Sequence, residues 1–68
     1  MEVLSEVTGK VWKLETAEGA SVQEGDVLMI VESMKMEIPI EAIASGSVRL
    51  LVVEGDAVEE GMKVAEIS

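Results

Sequence analysis

The chain has 68 residues, room for one small domain, and a net charge of −9 from fourteen acidic and five basic side chains. It contains no cysteine and no histidine. That excludes disulfides, thiolate zinc sites and Cys nucleophiles, and it removes the commonest general base and transition-metal ligand. The carboxylates form no D-x-D-x-D-G run, so no metal site is expected. An acidic chain without a basic run or an aromatic platform is no partner for nucleic acid.

The longest apolar run, Val27-Leu28-Met29-Ile30-Val31, is too short to cross a membrane. The start, Met1-Glu2-Val3-Leu4-Ser5, lacks the basic and apolar regions of a signal peptide, and a cytoplasmic location is expected. Hydrophobic residues make up 49% of the chain, mostly Val, Ile, Leu, Ala and Met. In a chain with so thin a core, that β-branched content points to strands.

In chain order the apolar segments are Val3 to Val7, Val11 to Leu14, Val27 to Val31, Met36 to Ala42, Val48 to Val53, and Val64 to Ile67. Glycines punctuate them at Gly9, Gly19, Gly25, Gly46, Gly55 and Gly61. No segment reaches typical helix length. After Lys35 the pattern alternates, with Met36, Ile38, Ile40 and Ala42 facing one way and Glu37, Pro39 and Glu41 the other. Pro39 cannot donate to a ladder, which places this strand at an edge or beside an irregularity. Trp12, the one aromatic residue, is expected in or half in the core. Regular short strands with glycine turns read as an all-β barrel or sandwich.

The two halves repeat. Gly9 to Leu14 followed by Glu18 to Gly25 matches Gly46 to Leu51 followed by Glu54 to Gly61, and both copies contain E-G-x-x-V-x-E-G. A gap of one residue before the E-G pairs keeps the copies in register. Two copies are too few for a solenoid, so they should close on each other with pseudo-two-fold symmetry.

Between the halves lies Val31-Glu32-Ser33-Met34-Lys35-Met36-Glu37-Ile38, a gap between strands without a glycine. Only Ser33 is a turn former, so a reversal here falls on Met34-Lys35 and sets two methionines near solvent. Such a departure from local rules marks functional sites. A lysine serving as general base needs burial or a neighbouring cation, whereas Glu32 and Glu37 favour the ammonium. The role left to Lys35 is that of an acceptor for an acyl group activated by another enzyme. No acid–base pair or preorganised nucleophile can be assembled elsewhere, so the chain is not expected to be an enzyme and has no catalytic residues of its own.

Met34-Lys35-Met36 within E-S-M-K-M-E resembles the biotin-attachment motif, with the modified lysine central. The resemblance runs through Gly19 to Leu28 before the lysine and through Ile40-Glu41-Ala42, Gly46 and Glu54 to Val58 after it. The chain, residues 1–68, thus resembles a biotinyl/lipoyl attachment domain of the biotin carboxyl carrier type. The family often has proline where this chain has Glu6-Val7-Thr8 before Gly9 and Ile43-Ala44-Ser45 before Gly46. The short Leu14–Gly19 connection leaves no room for the protruding thumb of some bacterial carriers.

The resemblance implies a flattened barrel or sandwich of two four-stranded antiparallel sheets, with Lys35 at the hairpin tip between the fourth and fifth strands. It implies covalent biotin on Lys35, attached by a biotin ligase and swung as an arm between biotin carboxylase and carboxyltransferase components. Met34 and Met36 would be read by the ligase, Glu32 and Glu37 are candidate ligase-docking carboxylates, and the isolated domain would be a monomer. Two alternatives stand beside it. One is a lipoyl carrier on the same fold, with lipoate on Lys35, whose usual D-K-A motif differs from the methionine flanks. The other is an unmodified acidic protein-interaction module.

Overall fold

The computed structural model describes all 68 residues. Eight strands follow in order: β1 (Glu2–Leu4), β2 (Gly9–Leu14), β3 (Ser21–Val22), β4 (Val27–Ser33), β5 (Met36–Glu41), β6 (Gly46–Leu50), β7 (Ala57–Val58) and β8 (Lys63–Ile67). They form two four-stranded sheets ordered β1-β8-β6-β3 and β5-β4-β2-β7, antiparallel throughout. Moving every strand of the first sheet four places along the chain gives the second, which is the pseudo-two-fold relation expected from the repeat. The two strands absent from the apolar segments, β3 and β7, are two residues long, and each contributes one buried valine, Val22 or Val58.

β5 stops one residue before the end of its apolar segment, and β1 and β6 stop three residues before theirs. After β1 the chain turns, with Ser5 buried and its Oγ donating to the Val7 carbonyl at 2.6 Å. After β6, the Val53 amide is taken by the Asp56 carboxylate at 2.9 Å, a local turn that removes it from the ladder. β5 is an edge strand, as Pro39 requires.

Fourteen buried residues, twelve on strands of the two sheets together with Ala42 and Val52 just beyond β5 and β6, form the core, all aliphatic or Met, with Leu28, Met29, Val31, Val64 and Ala65 fully enclosed. Strict alternation would not bury Leu28 with Met29, or Val64 with Ala65. Both pairs lie where the register shifts, between Val27 and Met29 on β4 and opposite Val3–Leu4 on β8. An extra residue at each bulge turns two successive side chains inward.

Trp12 corrects the expectation that it packs in or half in the core: it is 52% exposed. On β2 the partners of β4 pass from Val11↔Val31 to Lys13↔Ile30, so Trp12 is the extra residue of a third bulge. Val11 and Leu14 keep the inward places, and the indole is turned out.

The repeat motif braces each half against the other. The Gly19 amide donates to the Val48 carbonyl and the Gly55 amide to the Val11 carbonyl, both at 2.8 Å. The preceding glutamates do the same with their side chains. Glu18 Oε1 accepts from the Leu50 amide at 2.7 Å, and Glu54 Oε2 accepts from the Leu14 amide at 3.0 Å. The termini close the barrel edge, the Ile67 amide donating to the Met1 carbonyl at 2.8 Å and the Met1 amine to the Ile67 carbonyl.

Truncating either brace frees one strand amide per half, and each of Glu18→Ala and Glu54→Ala is expected to cost about 1 kcal/mol in urea unfolding. The outer face of the β1-β8-β6-β3 sheet carries an ion triad, Lys63 Nζ lying 3.2 Å from Glu66 and 3.5 Å from Glu2. The Glu66 hydrogen bond, followed by the charges of both carboxylates and the Glu2 hydrogen bond, outweighs desolvation and raises the Lys63 pKa above its ordinary 10.5. Its stabilisation is therefore complete below 10.5 and disappears as pH rises through the higher folded value. Lys63→Met should flatten that alkaline limb in a pH series of thermal melts, leaving neutral-pH unfolding cooperative.

Candidate functional site

The hairpin joining the halves is the most tightly turned connection in the chain. Ser33 pairs with Met36, so the whole reversal consists of Met34 and Lys35. Both have positive φ, 52° and 65°, and they are the only non-glycine residues that do. Two-residue hairpins with φ > 0 at both positions suit strand twist, and Asn-Gly is the usual sequence for them. A side chain in this left-handed region costs about 1–2 kcal/mol per residue. The sequence places two long side chains there.

The strands beneath hold that geometry. Ladder pairs run from Val27↔Glu41 to Ser33↔Met36, and Val31 and Ile40 anchor the hairpin in the core. Ser33 Oγ donates to the Thr8 carbonyl at 2.6 Å, and Thr8 Oγ1 accepts from the Glu60 amide at 3.1 Å. The loop after β1, the base of the hairpin and the loop before β8 are thereby tied together. Gly9 completes the support: a Cβ there would overlap the Glu32 carbonyl oxygen and press on Val31. Ser33, Thr8 and Gly9 were not singled out as site residues from the sequence, because each acts through contacts 25 or more positions away, or through backbone approach.

Lys35 is exposed and belongs to none of the ion pairs, which are Lys13–Glu15, Lys63–Glu2 and Lys63–Glu66. Met34 is 89% exposed and Met36 59%, so the amine stands between two thioether side chains in solvent. Glu32 and Glu37 face each other directly across β4 and β5, exposed and in no ion pair, with Lys10 opposite Glu32 on β2. Like charges directly opposed across strands are destabilising.

Nothing at the tip could enclose a free ligand. The one cleft lies elsewhere, between the sheet edges near Val3, Leu4, Pro39 and Ile43, and excludes Lys35. No group of three or more acidic side chains is placed to hold a metal. No helix is long and apolar enough to cross a membrane. The arrangement suits a covalently carried group: a primary amine at the apex of a rigid, narrow hairpin that another protein can surround.

The hairpin's strain gives a direct test. Replacing Met34-Lys35 with Asn-Gly is expected to stabilise the fold by about 1–2 kcal/mol, raising the melting temperature by several degrees, because both residues accept positive φ. Differential scanning calorimetry of the double variant measures it.

Comparison with known proteins agrees with the fold and with a carrier role. Residues 1–67 match the biotin/lipoyl family, described as biotin-requiring enzyme. The chain is 42% identical to a biotin/lipoyl attachment protein of Bacillus subtilis, covering all of this chain and 94% of that one. It is 40% identical to a biotinylated protein TB7.3 homolog of Mycobacterium leprae, over 98% of this chain and 96% of the relative. Among solved structures, the urea carboxylase of Kluyveromyces lactis superposes over the full chain with a TM-score of 0.94 at 42% identity, the match spanning 6% of that much larger protein. This chain belongs to the biotin/lipoyl attachment family and is a biotin carrier domain.

Proposed function

We propose that Lys35 is the residue on which biotin is carried, and that residues 1–68 act as one cytoplasmic, monomeric attachment domain. The observation carrying this reading is the strained Met34-Lys35 turn, which sets a primary amine at the apex of a two-residue reversal where Asn-Gly would be more stable.

The chain itself supplies position, and the chemistry comes from partners. Lys35 Nζ, deprotonated within a biotin ligase, attacks the acyl carbon of a biotinyl-adenylate; an amide forms, AMP departs and the amine loses its remaining surplus proton. Met34 and Met36 are the flanks the ligase reads, and Glu32 and Glu37 are the carboxylates it docks against. Once attached, biotin supplies a ureido nitrogen that can be carboxylated and can release the carboxyl group to an acceptor. The rigid hairpin fixes the pivot, and tethering keeps the effective concentration of the group high at both a biotin carboxylase and a carboxyltransferase site. No residue of the chain takes part in bond-making at those sites.

The printed name of the Bacillus subtilis relative, biotin/lipoyl attachment protein, favours a second reading in which lipoate occupies the same amine. Intact mass spectrometry decides between the two. Protein produced in cells with active biotin and lipoate ligases should gain one biotin-sized increment, absent from Lys35→Arg. A lipoyl-sized increment would replace biotin by lipoate at the same residue. An unmodified mass would overturn both and leave an interaction module.

A further inference from the structure

The pseudo-symmetry allows each surface to be compared with its counterpart. The bracing bonds fix the correspondence: Leu14 receives Glu54 where Leu50 receives Glu18, and Glu15 donates to Leu28 where Leu51 donates to Val64. Lys13 therefore corresponds to Arg49, Ile30 to Glu66, and Pro39 to Glu2. Trp12 corresponds to nothing: the one-position gap in the repeat falls at Trp12 within β2, and not between Leu14 and the E-G pair as the sequence match places it. β6 pairs with β8 without a register shift, whereas β2 bulges at Trp12 against β4.

The two outer faces differ accordingly. On the β1-β8-β6-β3 sheet the row is Arg49, Glu66 and Glu2, with both glutamates bridged to Lys63. On the β5-β4-β2-β7 sheet the matching row is Lys13, Ile30 and Pro39, Lys13 being paired with Glu15, and the exposed, unpaired Trp12 of the bulge precedes Lys13 on β2. The next row toward the hairpin is Lys10, Glu32 and Glu37, with the two carboxylates opposed and free of ion pairs. An inserted tryptophan left 52% exposed, with two opposed carboxylates that form no ion pair on the same sheet, leaves apolar area and charge without a partner in the fold. Bulges commonly serve to re-aim a side chain beside a functional site, and tryptophan is the residue type most concentrated at interface hot spots.

We propose that this face, Trp12 with Ile30 and Pro39, is the surface on which the enzyme that acylates Lys35 docks, with the Glu32–Glu37 pair receiving a basic side chain of that enzyme. The inference rests on Lys35 being the attachment residue. Reach selects the acylating enzyme. Its active site must close on Nζ itself, and Ile30 lies three positions below the last strand residue, about 10 Å from the turn. An interface of about 800 Å² per partner extends over roughly 28 Å and so covers the strip from the hairpin. An enzyme that acts at the far end of the attached arm has no need to cover it. Charge complementarity gives the partner's chemistry: an apolar pocket for the indole with a cationic group beside it.

The test is acylation by purified biotin ligase with saturating biotin and ATP and varied carrier concentration. Trp12→Ser should raise KM for the carrier about tenfold or more while kcat stays within about twofold. Glu32→Gln with Glu37→Gln should raise KM and flatten its dependence on salt. Arg49→Ser, on the counterpart row, should leave KM unchanged. An unaltered KM for Trp12→Ser overturns the proposal, including the case in which only carboxylation by a partner carboxylase is slowed. A second measurement avoids dependence on the variant's folding. The Lys35→Arg carrier labelled with 5-fluorotryptophan gives one fluorine resonance, and ligase should shift or broaden it; an unperturbed resonance overturns the proposal. Failure of wild-type carrier to become acylated instead overturns the assignment of Lys35, a result separable from an unaltered KM.

Discussion

The structure depends on a reciprocal exchange of hydrogen bonds between two halves that cannot stand alone. Each half holds four strands, one of them only two residues long, and neither encloses the core by itself. The E-G pair of each half reaches into the other, the glutamate accepting from a leucine amide and the glycine amide donating to a valine carbonyl. These bonds satisfy backbone groups at strand ends that would otherwise need water, and they fix the relative position of the sheets. The central segment, residues 32 to 37, is then a bridge between two braced units, and its geometry is imposed from both sides.

That imposition allows an unfavourable turn. Two L-residues with long side chains occupy positive φ because the β4–β5 ladder, the Ser33–Thr8 bond and the close approach at Gly9 leave no alternative path. The same site with Asn-Gly would fold more easily and present no amine. A conformational cost of a few kcal/mol is thus retained at this turn, the kind of strain that clusters at functional positions. Rigidity also matters to a carrier: a fixed pivot restricts the region a tethered group explores, which maintains its effective concentration at each destination.

Departures from symmetry carry a different kind of information from symmetry itself. What the halves share, the braces and the bulges at Leu28 and Val64, belongs to folding. What they do not share is the outer face. One sheet neutralises its charges in a lysine–glutamate triad, while the other exposes an inserted tryptophan next to opposed glutamates. Folding requirements act equally on both copies, so a one-sided feature points to a one-sided demand.

Much of this was legible in the sequence. Short β-branched segments between glycines gave the all-β class, Pro39 gave an edge strand, and the doubled E-G-x-x-V-x-E-G gave the internal symmetry. The absence of a glycine around Met34-Lys35 gave the position of the unusual reversal, because backbone preferences are local and their violation can be read locally. Tertiary structure decided the rest. Trp12 was expected in or half in the core, yet a bulge visible only in the strand register leaves it 52% exposed. The roles of Ser33, Thr8, Gly9, Glu18 and Glu54 depend on partners roughly 23 to 52 positions away, which no periodicity encodes. The sequence by itself determined which residues prefer strand, turn and core. Only the folded chain decided which distant backbone groups those residues meet, because hydrogen bonding and steric approach are set by separation in space.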